Sequence, residues 1–319
     1  MENSNESMNG YKLSFHGKGG EYFGIVIVNW LLTALTLGLY YPWAKAKQLQ
    51  YLYGATALSN DRFTFHGTGK EMFIGFIKAI LIFGFIYGMF FLFVFLEMPV
   101  VGAVFLYLGF LGIIPIAIHG SYRYRMSRTS WRGIRFGYRG NRKEFIINFY
   151  KWILLTIITL GIYGAWMAIN LRNYILGNIK LGDLEFKYKG DGWEFFILNI
   201  KGYFLSIITL GIYMFWWQKD LFAYFVDNLT VNKGDQQLRM KSTATGGNFA
   251  GLIIVNLLIL VFTLGLGYAW IVTRTMEFVV NNIQIEGDID LDGITQTEEE
   301  FKDATGEDIG DMLDIDFII

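Results

Sequence analysis

A chain of 319 residues that is 53% hydrophobic, 18% aromatic and only 17% charged, with mean hydropathy +0.36, is too apolar for an ordinary soluble enzyme. It contains no cysteine, which excludes a disulfide framework, a Cys-ligated zinc or iron–sulfur centre and a thiol nucleophile. Its net charge of −1 hides two opposite parts. Thirteen of the 28 acidic residues and one of the 27 basic ones fall in 286–319, so residues 1–285 carry a net +11.

In chain order, residues 1–10 form a polar tail with no basic region, apolar run or small-residue cleavage site, so no signal peptide is expected. Residues 11–285 form the apolar body. Its long greasy stretches, 22–41, 72–96, 100–118, 145–166, 195–217 and 249–271, predict about six transmembrane helices in a mainly α-helical membrane fold. Aromatic residues crowd one end of several stretches, as at Tyr40, Tyr41 and Trp43, where head-group belts lie. Residues 286–319 read as a solvated acidic tail.

An internal repeat organises the body. Thr36-Leu37-Gly38-Leu39-Tyr40 recurs at Thr159–Tyr163, at Thr209–Tyr213 and at Thr263–Gly267. Five residues beyond the central glycine stands a tryptophan each time, Trp43, Trp166, Trp216 and Trp270, which are expected as interface anchors. Seventeen residues before it stand Glu21, Glu144, Glu194 and Asn248. A degenerate copy centres on Gly112, with Pro115 in its turn. Each unit opens with alternating apolar residues that end in glycine, such as Phe63-Thr64-Phe65-His66-Gly67, which predicts a short strand and a turn. One unit therefore reads as strand, turn, membrane helix, Thr-Leu-Gly break and amphipathic helix, with short β-strands between tandem repeats. Either each unit crosses the membrane once, or its amphipathic helix returns to the starting face.

The repeated Phe-His-Gly strands, the Thr-Leu-Gly-Leu-Tyr break and Trp43 resemble the YjgN family of bacterial inner-membrane proteins, from Tyr11 to about Gly293. The resemblance implies a multi-pass protein of the bacterial inner (plasma) membrane. The family is a domain of unknown function, so it implies no activity.

Candidate sites follow from charge in unusual places. His16, His66, Arg139 and Lys189 occupy one repeat position, each before a glycine turn and a helix N-terminus, a combination suited to a lipid phosphate. Lys151 and Lys201 are equivalent residues inside apolar stretches, and Lys78 lies inside another, where a charge is costly. Asp288, Asp290 and Asp292, with Gly293 and Glu299 at the twelfth place, follow the spacing of a calcium loop. There is no nucleophile–base set, no metal-binding histidine motif and no phosphate loop. Neither enzymatic activity nor a cofactor is expected. Membrane lipids are the expected partners and nucleic acid is not. The reading is a membrane protein with a structural or lipid-interacting role; the alternative is a transporter or channel for a small solute or ion.

Overall fold

The structure, a computed structural model, describes residues 11–297. It contains five units, each built strand–helix–helix–strand. Unit one is β1 (Leu13–Phe15), α1 (Gly19–Leu35), α2 (Tyr41–Ala55) and β2 (Thr56–Leu58). Unit two is β3 (Asp61–Phe65), α3 (Gly69–Phe95), α4 (Pro99–Ser127) and β4 (Thr129–Trp131). Unit three is β5 (Ile134–Tyr138), α5 (Arg142–Ile158), α6 (Gly164–Gly177) and β6 (Ile179–Leu181). Unit four is β7 (Leu184–Tyr188), α7 (Gly192–Ile208), α8 (Met214–Asp227) and β8 (Leu229–Lys233). Unit five is β9 (Gln236–Ser242), α9 (Gly246–Phe262), α10 (Tyr268–Asn281) and β10 (Ile283–Gly287).

The expectation of six tandem transmembrane helices is overturned. Stretches 22–41, 145–166, 195–217 and 249–271 each run through a Thr-Leu-Gly turn, so they are a 17-residue helix, a turn and the start of a returning helix. Hydropathy is continuous across that turn because the turn itself is apolar, and a window cannot see that the backbone reverses. Among the described residues, only α3 and α4, of 27 and 29 residues, are long and apolar enough to cross a membrane. The centre assigned to Gly112 is also corrected. Gly112 and Pro115 lie inside α4, and unit two turns at Leu96–Met98 instead.

The strands do not stay separate between repeats. They join in one ten-stranded antiparallel sheet in sequence order, β1 to β10. Two-residue turns fix the register, pairing Leu58 with Asp61, Trp131 with Ile134, Leu181 with Leu184 and Lys233 with Gln236. Ser59-Asn60 and Arg132-Gly133 have positive φ at both positions, the type I′ geometry that matches strand twist. The sheet curls into a nearly closed barrel; among the described residues no ladder joins β1 to β10. Alternation directs Leu184 and Phe186 into its core and Glu185, Lys187 and Lys189 onto its outer wall. The helices finish the circle, since Tyr22 and Val26 of α1 bury against Ala269 of α10. All five hairpins therefore leave the same sheet, with their turns at the remote ends.

Candidate functional site: a lipid-contact surface

The four Thr-Leu-Gly turns share one hydrogen-bonded geometry. The hydroxyl of Thr209 donates to the carbonyl of Leu205 (2.7 Å) and accepts from the amide of Tyr213 (2.9 Å). Thr36, Thr159 and Thr263 repeat both bonds. The glycine amide reaches back five residues, Gly211 to the carbonyl of Ser206 at 2.7 Å, and the leucine amide reaches back three, Leu210 to Ile207 at 3.2 Å. This is the Schellman helix end. Its left-handed position normally takes glycine, yet here it is leucine: Leu37, Leu160, Leu210 and Leu264 have φ of 49–50°. A left-handed L-residue costs roughly 1–2 kcal/mol. Each of these leucines is 93–95% exposed, so no contact inside the protein offsets that cost. Leu35, Ile158, Ile208 and Phe262 extend the same apolar tips.

Unit two closes with the same backbone geometry and the opposite chemistry. Met98 donates to Phe93 and Glu97 to Val94, with Glu97 at φ 60°. Helices of 17 residues span about 25 Å and one of 27 residues about 40 Å, against a hydrocarbon core of about 30 Å. The short hairpins end in leucine and the long one ends in glutamate.

At the sheet end the surface is cationic. Lys12, His16, Arg62, His66, Arg139, Lys187, Lys189, Arg239 and Lys241 are exposed there. Lys180 holds Glu185 at 2.8 Å, and this bonded ammonium keeps the Glu185 carboxyl below the usual carboxylate range. His16, His66, Arg139 and Lys189 do occupy equivalent places; each backbone amide bonds the last turn of its own unit's second helix or the residue after it. They are not gathered into one pocket but each follows the last residue of a separate strand, one per unit. Three of the four helix N-termini beside them are already capped: Thr68, Asn141 and Asp191 accept first-turn amides, whereas Lys18 ahead of α1 makes no side-chain cap. The histidine rings contact neighbouring serines, His66 Nε2 to Ser130 Oγ at 2.8 Å and His16 Nε2 to Ser14 Oγ at 3.0 Å.

Lys78, Lys151 and Lys201 lie seven residues after Glu71, Glu144 and Glu194, so all three are equivalent, on α3, α5 and α7. Each is exposed and has no ion-pair partner among the described residues. The four tryptophans serve as keys between units. The indoles of Trp43, Trp166, Trp216 and Trp270 lie against Gly69, Gly192, Gly246 and Gly19, where any added methyl would overlap them. At the junction of units two and three the tryptophan is missing and Arg142 stands in the glycine's place.

The acidic segment enters the fold as a strap across the barrel mouth. Ile289, Leu291 and Ile294 are buried against Trp131, Leu181, Val231 and Leu238. Asp288 accepts from the Tyr11 hydroxyl (3.2 Å), Asp292 from Arg132 (2.5 Å), and Asp290 from the amides of Asp292 and Gly293 (3.0 Å each). Arg132 also bonds Asp61 at 2.5 Å, which holds its guanidinium above its ordinary pKa. Lys233 Nζ lies on the carbonyls of Asp290 (2.9 Å) and Gly293 (2.8 Å). The three aspartates thus point to three different partners. Among the described residues no group of three or more His, Cys, Asp or Glu side chains is placed to hold a metal; Glu299 lies outside those residues.

Sequence reasoning missed the tip leucines, the tryptophan-bearing glycines and the strap. The signals were present: leucine where glycine is cheaper, glycine two residues before Glu21, Glu71 and Glu194, and spaced isoleucine and leucine within an acidic run.

The inner membrane protein YjgN of Salmonella typhimurium (strain LT2) is 30% identical over 177 residues, 55% of this chain and 43% of that protein. YjgN of Escherichia coli (strain K12) is 38% identical over 144 residues, 45% of this chain and 35% of that protein. The chain therefore spans less than half the length of these curated relatives. No solved structure matches. The relatives' names support a bacterial inner-membrane location. The family described as bacterial protein of unknown function (DUF898) matches residues 10–197, 183–236 and 233–312, and the chain belongs to that family.

Proposed function

We propose that this protein is a lipid-contacting scaffold of the inner membrane, with one crossing hairpin and four shorter hairpins that end inside the bilayer. The observation that carries the reading is the match between hairpin length and tip chemistry. Leucine ends the 17-residue helices and Glu97 ends the 27-residue one. A strained, fully exposed leucine gains about 1.5–3 kcal/mol in hydrocarbon, enough to offset its left-handed backbone. A glutamate does not gain there and belongs in water beyond the far face. The cationic barrel wall then lies on the cytoplasmic side, against anionic head groups. The set of functional groups supports a non-enzymatic role, and lipids are the partners this surface suits. Lys151 and Lys201 stand on separate hairpins, an arrangement that favours lipid contact over a shared solute path.

The cysteine-free chain allows a direct test. Glu97→Cys, Leu210→Cys and Asn141→Cys, made singly, are exposed to a membrane-impermeant thiol reagent in intact spheroplasts and again after lysis. Glu97→Cys labels in intact spheroplasts, Asn141→Cys labels only after lysis, and Leu210→Cys labels in neither. Labelling of Leu210→Cys from either aqueous side, or protection of Glu97→Cys in intact spheroplasts, overturns the arrangement.

A further inference from the structure

We propose that the groove between α7 and α8 holds one phospholipid with an amine-bearing, zwitterionic head group; this rests on the membrane-contact reading above. The groove encloses 620 Å³, within the range of small-molecule sites. Trp193, Glu194, Ile197, Lys201, Tyr213 and Asp220 are among the residues that line it. Its charges are arranged as a dipole. Glu194 precedes Lys201 by seven residues on one helix, about 10 Å along the axis. Asp220 faces them from α8 and is bonded to Lys219 at 2.5 Å. One free ammonium and two carboxylates, one of them already shared, suit a ligand that carries both a phosphate and an ammonium. A simple anion would meet Lys201 and then the two carboxylates, which repel it.

The groove also has the correct polarity for a lipid. From Lys201 toward the tip the exposed residues are apolar, namely Phe204, Ile208 and Leu210. From Lys201 toward the sheet, Glu194 adds a charge beside the exposed Trp193, Ile197 and Ile200. The head group would thus lie on the barrel side and an acyl chain would run toward the hairpin tip, in the direction the bilayer interior takes.

The repeat supplies its own comparison. Unit five has the equivalent groove, of 490 Å³, between α9 and α10. There Asn248 replaces Glu194, Val255 replaces Lys201 and Arg274 replaces Asp220. The hairpin architecture is shared, but unit five carries its charges, Arg274 and Glu277, on α10 and none at the positions of Glu194 and Lys201, so charges of both signs on the first helix belong to unit four alone of these two.

The full chain is extracted from vesicles of phosphatidylethanolamine and phosphatidylglycerol in equal amounts, and retained lipids are counted by native mass spectrometry. The wild type retains one phosphatidylethanolamine in preference to phosphatidylglycerol. Lys201→Ala lowers that occupancy about tenfold, the ratio carried by a single charge-assisted hydrogen bond, and Lys201→Arg retains it. Glu194→Gln keeps a phospholipid but erases the preference between head groups. Equal retention of both lipids by the wild type, or unchanged retention by both Lys201→Ala and Glu194→Gln, overturns the site. Failure of the chain to fractionate with membranes would instead sink the membrane-contact reading, since that is scored before any lipid is counted.

Discussion

A left-handed leucine is the most informative residue type in this molecule. Leu37, Leu160, Leu210 and Leu264 stand where glycine would relieve strain, and their side chains touch almost nothing. Stability of the isolated protein would favour asparagine or glycine there. A quadruple Leu→Asn variant separates the two demands. Asparagine tolerates left-handed φ, so helicity and the unfolding temperature in detergent hold or rise. Removing four apolar tips, each about 1.5–3 kcal/mol of transfer, weakens flotation with lipid vesicles. Equal flotation of variant and wild type would deny the tips a membrane role.

At the scale of elements, the junctions between units follow one rule with one exception. Where a tryptophan opens the second helix of one unit, a glycine opens the first helix of the next, and α10 to α1 obeys the rule and closes the circle. Gly192→Ala forces the Trp166 indole off its seat, and overpacking of this kind costs about 1–3 kcal/mol. Combining it with Trp166→Phe recovers part of the loss, because the two changes share a contact and are not additive. Thermal unfolding of the two single variants and the double variant measures the coupling; strict additivity would mean that the indole does not bear on the glycine. The opening strand of each unit and the glycine turn after it were legible in the sequence, since alternation and glycine placement record local geometry, whereas the closing strands, such as Thr56–Leu58, read as the end of a helix. What the hydropathy of 195–217 did not reveal is that Thr209–Gly211 reverses the chain, because a Schellman end made with leucine is as apolar as the helix before it. The tryptophan–glycine contact was equally hidden, since it joins residues of neighbouring units through space. Equivalence of His16, His66, Arg139 and Lys189 could be read from spacing, but their wide separation around the barrel depends on strand order.

The whole molecule faces a closure problem that local repeats do not solve. Five hairpins can pack in a circle, but β1 and β10 share no ladder among the described residues, and the barrel core opens toward the side away from the hairpin tips. The strap supplies the missing cover. Tyr11 bonds the Ile289 backbone in both directions, tying the start of unit one to the end of unit five across the seam. Arg132 and Gly182, in two different β-turns, and Lys233, at the end of β8 beside a third, bond strap groups at the rim of the barrel. Ile289 is fully buried at its centre. Ile289→Asp therefore leaves an unpaired carboxylate in an apolar core and destabilises by several kcal/mol. Arg132→Ala removes two partly exposed pairs, with Asp61 and Asp292, each worth no more than about 1 kcal/mol. The two variants discriminate between a strap held by its apolar side chains and one held by its charges. If apolar burial dominates, Ile289→Asp lowers the unfolding temperature sharply at every salt concentration, and Arg132→Ala lowers it slightly and only at low salt. The reverse ranking would make the strap an electrostatic clasp, and closure of the barrel would then depend on ionic strength.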